Sequence, residues 1–315
     1  MAEVKKIATR DAYGKTLVEL GRENPDIVVL DADLSVSTKT SLFAKQFPDR
    51  FFDLGVAEQD MISTAAGLAA CGKTVFASTF AVFGSGRAWD QVRMSVAYTR
   101  LNVKIVVTHA GITTGEDGAS HQANEDLAIM RVLPNMTVMV PADAIETAKI
   151  IRAAAAFHGP AYIRLSRLAT PLVYESDNYE FKIGKGIVMR EGRDATVFAC
   201  GLMVGMALNA AEQLAGENIS VRVVNLHTVK PLDKELIIKC ARETGAVVTA
   251  EEHSILGGLG SAVAEVLVEN STAPLIRVGI RDVFGESGKP EELLVKYGLT
   301  AENIAAAVKS VMKRK

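Results

Sequence analysis

Short runs rich in β-branched residues alternate with longer stretches of helical period along this chain, and that alternation constrains the fold more than any other feature. In the first half the runs at 27–30, 74–78, 103–108, 137–140 and 161–165 read as strands. Stretches near 11–22, 37–46, 59–70, 85–97 and 144–155 between them read as helices. A helix between consecutive strands carries the chain back to where it started, so such strands pair in parallel. The run KIVVTH is apolar throughout instead of alternating, as a strand covered on both faces requires. Over 172–185 the texture becomes polar, LVYESDNYEFKIGK, with little helical period, and this reads as a linker. The alternation then restarts with GIVMREG, ATVFACG, VRVVNLHTV, AVVTAEEH and LIRVGI, and with helices near 203–214, 233–244 and 259–270. The expectation is two α/β domains, 1–180 and 181–315, each a mostly parallel sheet with helices on both faces. A length of 315 residues suits two domains of roughly 100–200 residues each.

Composition narrows the partners. A net charge of −2 offers no electrostatic footprint for nucleic acid or a membrane surface. The basic end, Lys313, Arg314 and Lys315, is too short to be more than a solvated tail. The opening MAEVKKIATRDAYG has no apolar leader, and no window approaches the ~20 apolar residues of a membrane span. Cys71, Cys200 and Cys240 are far apart and odd in number, which fits a reducing cytoplasm with neither a disulfide framework nor zinc spacing.

Open parallel sheets collect ligands beyond the carboxyl ends of their strands. Here those ends are chemically loaded. Asp31-Ala32-Asp33-Leu34-Ser35-Val36-Ser37 follows IVVL, and Thr79-Phe80-Ala81-Val82-Phe83 follows TVFAS. His109 and the loop GITTGEDGASHQ, with Asp117 and His121, follow KIVVT, while Arg164 and Arg167 follow AYI. Four such ends suggest one large site of carboxylates, histidines, arginines and a flat aromatic wall, suited to an anionic, hydroxyl-rich substrate beside a ring cofactor. Arg10, Ser37 and Arg167 could form a phosphate grip, because arginine forks match phosphate oxygens. Glu58, in GVAEQDM, sits at a helix start between Leu54-Gly55-Val56-Ala57 and Met61-Ile62. Burial there would raise its pKa and keep a proton available near neutral pH, so that it could exchange protons with a ring nitrogen.

Each residue also has a plainer reading. Glu58 could serve the helix dipole alone, Phe80 and Phe83 could be core, and His109 and His121 ordinary loop histidines. His158, His227 and His253 have no partner at ligand spacing and read as structural. The run GGLGSAVAE from Gly257 lacks GxGxxG spacing and follows Glu251-Glu252-His253, poor neighbours for a phosphate, so it reads as tight helix–strand packing.

The run GVAEQDMISTAAGLAACGKTVFASTFAVF, followed by RAWDQVR, resembles the pyrimidine-binding domain of thiamine-diphosphate enzymes. The continuation THAGITTGEDGASHQANEDLAIMRVLPNMTVMVPAD narrows the resemblance to the transketolase family, and VKPLD and AEEHSILGGLGSAVAE extend it over the second half. The resemblance implies that Glu58 bonds the ring nitrogen of the cofactor's aminopyrimidine. It implies that Phe83 stacks on that ring, with Phe80, Asp33 and Leu34 nearby. Asp117 would read a donor hydroxyl, His121 would hold substrate oxygens at the reaction centre, and Arg10, Ser37, His109 and Arg167 would bind the sugar phosphate. Gly86 stands where family members often have a further aromatic. No GDG motif of the family's diphosphate and Mg²⁺ site occurs in this chain.

The resemblance therefore implies the C-terminal subunit of a split transketolase. A separate N-terminal subunit would carry the diphosphate, Mg²⁺ and the GDG motif, in an α2β2 assembly, and no metal ligand is assigned here. The expected reaction moves a two-carbon ketol unit from a ketose phosphate of the xylulose 5-phosphate type to an aldose phosphate of the ribose 5-phosphate type. Three rivals stand beside it. A deoxyxylulose-phosphate synthase half would carry a DRAG-like run at Thr108-His109-Ala110-Gly111 and a PRG-type run near Arg164-Leu165-Ser166-Arg167. The β subunit of a 2-oxoacid dehydrogenase would lack GEDGASHQ. A non-catalytic subunit should have lost Glu58, His121 or Arg167.

Overall fold

Fourteen strands run along the chain in the computed structural model, which describes residues 6–315. Residues 1–5, the start of the stretch read as carrying no leader, lie outside the described residues. The strands are β1 Lys6–Ala8, β2 Ile27–Asp31, β3 Phe51–Asp53, β4 Thr74–Phe80, β5 Val103–Thr108, β6 Thr137–Met139, β7 Ala161–Arg164, β8 Ala169–Pro171, β9 Ile187–Arg190, β10 Ala195–Ala199, β11 Val221–Asn225, β12 Thr228–Lys230, β13 Val247–Ser254 and β14 Leu275–Ile280.

The larger sheet has the order β12-β6-β7-β5-β4-β2-β3, parallel except for β12. Alternate side chains of its strands enter two cores. Val29, Phe76, Val106 and Ile163 meet the helices Thr9–Glu23 and Ala144–Ala156 on one face. Leu30, Val75, Ile105 and Tyr162 meet the helix Glu58–Ala70 on the other. The central strand β5 is buried along its whole length, which explains its unbroken apolar run. It tolerates Lys104 because Nζ reaches out of the sheet to donate to Phe157 O at 2.7 Å, Gly159 O at 2.5 Å and Asn102 Oδ1 at 2.7 Å. Burial still pushes its pKa down to about 7.

The second sheet has the order β14-β13-β10-β11-β9, parallel except for β9. Helices Met203–Ala215 and Ala301–Met312 cover one face, and Lys234–Thr244 and Leu259–Asn270 the other. The two-domain α/β architecture is therefore as expected. The halves are less separate than a linker suggests. One core contains Val138 and Tyr162 of the first sheet together with Phe198, Val224 and Leu259 of the second half. The run VRVVNLHTV is two strands, β11 in the second sheet and β12 at the edge of the first. The segment 172–185 is irregular but anchored: Val173 N and Tyr174 N donate to Asp143 Oδ2, and Tyr174 OH donates to Glu146 Oε1 at 2.9 Å.

Two expected helices differ. The stretch 37–46 is broken into Ser35–Thr38 and Ser41–Gln46, with Lys39 in the left-handed region at φ 72°. The stretch 85–97 holds two wide π-type turns, Phe83–Arg87 and Val92–Ala97, around Trp89–Gln91. Among the described residues no helix is long and apolar enough to cross a membrane.

The halves are joined through Arg164, which is not a site residue as its strand-end position suggested. Its Nε donates to Asp126 Oδ2 at 2.8 Å, and its Nη2 donates to Ala123 O and to Glu252 O. Tyr162 OH completes Asp126's shell at 2.7 Å. Both charges are buried, so each depends on the other. Arg164→Met should cost about 3–5 kcal/mol, because it leaves Asp126 buried without its cation. Urea unfolding measures this, and a loss below about 1 kcal/mol would contradict the network's role.

Candidate active site

Parallel register sets the ends of β2, β4, β5 and β7 side by side: Asp31 faces Ser78, Phe80 faces Thr108, and Val107 faces Arg164. The loops leaving these ends share one rim. Below it lies a pocket of about 380 Å³ lined by Arg10, Ser37, Phe80, His109, Asp117, His121 and Arg167. All seven residues were singled out in the sequence. A larger hollow of about 930 Å³ near Arg242, Glu243, Glu269 and Lys315 is lined by no histidine or aromatic ring.

At one end of the pocket two guanidinium groups meet. Arg10, in the first turn of Thr9–Glu23, donates from Nη1 to Ser37 O at 3.1 Å and lies 3.3 Å from His109 Nε2. Its Nε is buried without a partner among the described residues. With Nε2 accepting from Arg10, the His109 proton belongs on Nδ1, which is 2.8 Å from Thr108 Oγ1. Burial, then Arg10 and Arg167, push the His109 pKa down to about 3, so the ring is neutral. It stacks on Phe80 at 3.8 Å and sits at φ 57°. A left-handed histidine is a strained placement that tertiary contacts must hold. Arg167 donates to Thr114 O at 2.6 Å and lies 3.5 Å from both Asp117 and Glu116.

The loop after β2 is organised by Asp31, the first residue of the polar run at that strand end. Asp31, fully buried, accepts from Leu34 N at 2.7 Å, Thr38 Oγ1 at 2.7 Å and Thr40 Oγ1 at 2.8 Å. These bonds break the expected helix at Lys39 and fix Ser37's carbonyl for Arg10. Burial raises the Asp31 pKa to about 6. Asp33, at φ 62°, is held through its N–H by Asp53 Oδ1 at 2.9 Å. Asp33 and Leu34 stand on the rim and do not line the pocket.

At the other end Glu58 begins its helix with 1% exposure. Its surroundings are not the purely apolar ones its flanks suggested. Arg87 Nη1 donates to both carboxylate oxygens, at 2.8 and 2.9 Å, and the Arg87 guanidinium carbon lies 4.5 Å from the Phe83 ring centre. Phe83 is half-buried and adjoins Phe80 at 6.1 Å and His121 at 5.3 Å, so the two ends are contiguous. Gly86 is exposed, and a side chain there would meet nothing. Arg87, its neighbour, covers the ring instead.

The second half braces the loop between. Glu252 Oε1 accepts from Thr113 N at 2.8 Å, and Gln122 Nε2 donates to Ile112 O and to Glu286 O. Gly115 and Gly118, both at positive φ, press against Pro290 and Ser287. Burial lifts the Glu252 pKa to about 7. The glycine-rich helix start is, as expected, a packing device: Glu251 accepts from Leu259 N at 2.6 Å and Gly260 N at 2.8 Å. A carboxylate of the chain itself fills the place a phosphate would take. His253 and His227 are buried: His253 Nε2 accepts from Leu127 N of the first half at 3.1 Å, and His227 Nδ1 lies 2.9 Å from Thr228 Oγ1.

Two family models match the chain: the transketolase pyrimidine-binding domain over residues 5–172 and the transketolase C-terminal domain over residues 184–304. The chain is similar to a putative transketolase C-terminal section of Methanocaldococcus jannaschii, 54% identical over 97% of this chain and 96% of that protein. It is 48% identical to a 6-deoxy-6-sulfo-D-fructose transketolase subunit of Clostridium sp., over 97% and 95% of the two chains. Among solved structures it matches a split-gene transketolase described as an inactive β4 tetramer. That match has a TM-score of 0.91 and 59% identity, over 98% of this chain and 99% of that one.

The neutral His109 is testable. Its pKa is lowered from an ordinary 6.5 to about 3, so the unfolded chain takes up the proton first as pH falls. Its contribution to stability is complete above about 6.5 and is lost as pH drops from there toward 3. Its ring resonances should stay flat from pH 5 to 8 in an NMR titration; a midpoint near 6.5 would contradict the placement of Arg10 on Nε2.

Proposed function

The chain belongs to the transketolase family, and from that premise we propose that it is the C-terminal subunit of a split, thiamine-diphosphate-dependent transketolase, active only with a separate N-terminal subunit. The observation that carries the reading is a buried carboxylate, Glu58, beside a partly open aromatic face, Phe83, leading into a pocket with two arginines. We take residues 1–180 as the pyrimidine-binding domain and 181–315 as the C-terminal domain.

Glu58 and Phe83 fit an aminopyrimidine: the acid offers oxygens to a ring nitrogen, and the ring offers a stacking face. Phe80, Asp33 and Leu34 border the same rim. Thiamine diphosphate, when bound, supplies a nucleophilic carbon that carries a two-carbon ketol unit from a ketose to an aldose. Glu58 would hold or release a proton at its Oε atoms. His121, whose Nδ1 lies 2.9 Å from Ser120 Oγ, would hold substrate oxygens through its other nitrogen. Asp117 would read a donor hydroxyl. Arg10 and Arg167 would grip the sugar phosphate; the unpartnered Nε of Arg10 supports this. Neutral His109 and the Ser37 carbonyl would act by orienting Arg10.

No GDG motif occurs in the sequence, so Mg²⁺ and the diphosphate belong to the N-terminal subunit in this reading, within an α2β2 heterotetramer. The substrates are a ketose phosphate of the xylulose 5-phosphate type and an aldose phosphate of the ribose 5-phosphate type, as in a cytoplasmic pentose phosphate pathway.

The test mixes the two subunits with thiamine diphosphate and Mg²⁺ and assays ketol transfer. Glu58→Gln should lower kcat by on the order of 10²-fold or more with the fold intact; near-normal turnover would remove Glu58 from the chemistry. Arg167→Ala should raise KM for phosphorylated sugars far more than for unphosphorylated ones. Equal effects would remove it from the grip, and turnover by this chain alone would overturn the half-site reading.

A further inference from the structure

Arg87 makes, within the chain, the same two contacts that the cofactor's aminopyrimidine would make. Its Nη1 is within 2.9 Å of both Glu58 oxygens, and its guanidinium carbon lies 4.5 Å from the centre of the Phe83 ring. A guanidinium and an aminopyrimidine are both flat, both present N–H to a carboxylate and both lie well against an aromatic face. They cannot occupy that place together. The geometry thus points to Arg87 as a placeholder, an inference that rests on the cofactor reading given above: its side chain fills the aminopyrimidine subsite until the cofactor displaces it.

The two partners are unequal in a way that suits displacement. Glu58's side chain is 1% exposed and Arg87's is 47% exposed. Moving Arg87 into water therefore costs the arginine little. Leaving Glu58 without any partner costs far more, since an uncompensated buried charge is strongly unfavourable. The pair thus keeps Glu58 compensated in the free subunit and releases it only to a group that bonds the same oxygens. The backbone is arranged for a side-chain swing. Arg87 O accepts from Gln59 Nε2 at 3.2 Å, which anchors the backbone, while the open space around the preceding Gly86 leaves the Arg87 side chain room to swing.

An apparent affinity falls by the fraction of protein in the competent state. If Arg87 occupies the subsite about nine-tenths of the time, its removal should tighten cofactor binding about tenfold. The experiment titrates thiamine diphosphate with Mg²⁺ into the complex of this chain with its N-terminal subunit and reads Kd by calorimetry. Arg87→Ala and Arg87→Gln are each compared with the unmodified chain, after circular dichroism shows that both variants are folded. The expected result is a Kd about tenfold lower in both variants. An unchanged or higher Kd, with the unmodified complex binding normally, overturns the placeholder and would make Arg87 a residue that stays on Glu58. No binding by any of the three complexes would instead overturn the cofactor reading itself, and the inference with it.

Discussion

A carboxylate removed from water must have a partner, and Glu58's need for one organises the rim of this sheet. Its helix begins after the short loop 54–57 that leaves the edge strand β3, and its oxygens face the turn that leaves β4. The chain answers that need with Arg87, delivered by a π-type turn that also presents Phe83. From Phe83 the contacts run on through His121 and Phe80 to His109 and the two arginines. The proposed half-site for a ring cofactor and the proposed grip for an anion thus share one continuous wall.

The second half of the chain holds that wall in place. Arg164 ties Asp126 of the first half to the backbone of Glu252, and the Glu252 carboxylate reaches back to the N–H of Thr113. The loop bearing Asp117 and His121 therefore rests on both halves. Strand β12 repeats the theme at the sheet edge, where three residues of the second half extend the first sheet. In such an arrangement the C-terminal half is a support for the site as well as a separate sheet. Removing it would take away hydrogen-bond partners that the loop cannot replace from its own sequence.

Much of this was legible in the residues. The apolar run of β5 announced a central strand, and the polar clusters after β2, β4 and β5 announced the rim, because both follow from local period and strand-end chemistry. The flanks of Glu58 foretold its burial. They could not foretell its cation, since Arg87 lies 29 positions away and meets it only in the fold. Arg164 was misread for a related reason: its place at a strand end looks like Arg167's, but Asp126 and the second half enclose it. Nor does anything local distinguish Thr228–Lys230 from Val221–Asn225, although they join different sheets. The break at Lys39 was readable in principle, from an aspartate at a strand end followed by Thr38 and Thr40, whose hydroxyls compete with helix hydrogen bonds.

In the proposed function this chain carries only part of a thiamine-diphosphate site. Calorimetry of thiamine diphosphate with Mg²⁺ against this chain, the N-terminal subunit and their mixture tests it most directly. The expected result is tight binding by the mixture alone, with one cofactor per pair of subunits. Binding of equal strength by the isolated chain would contradict it.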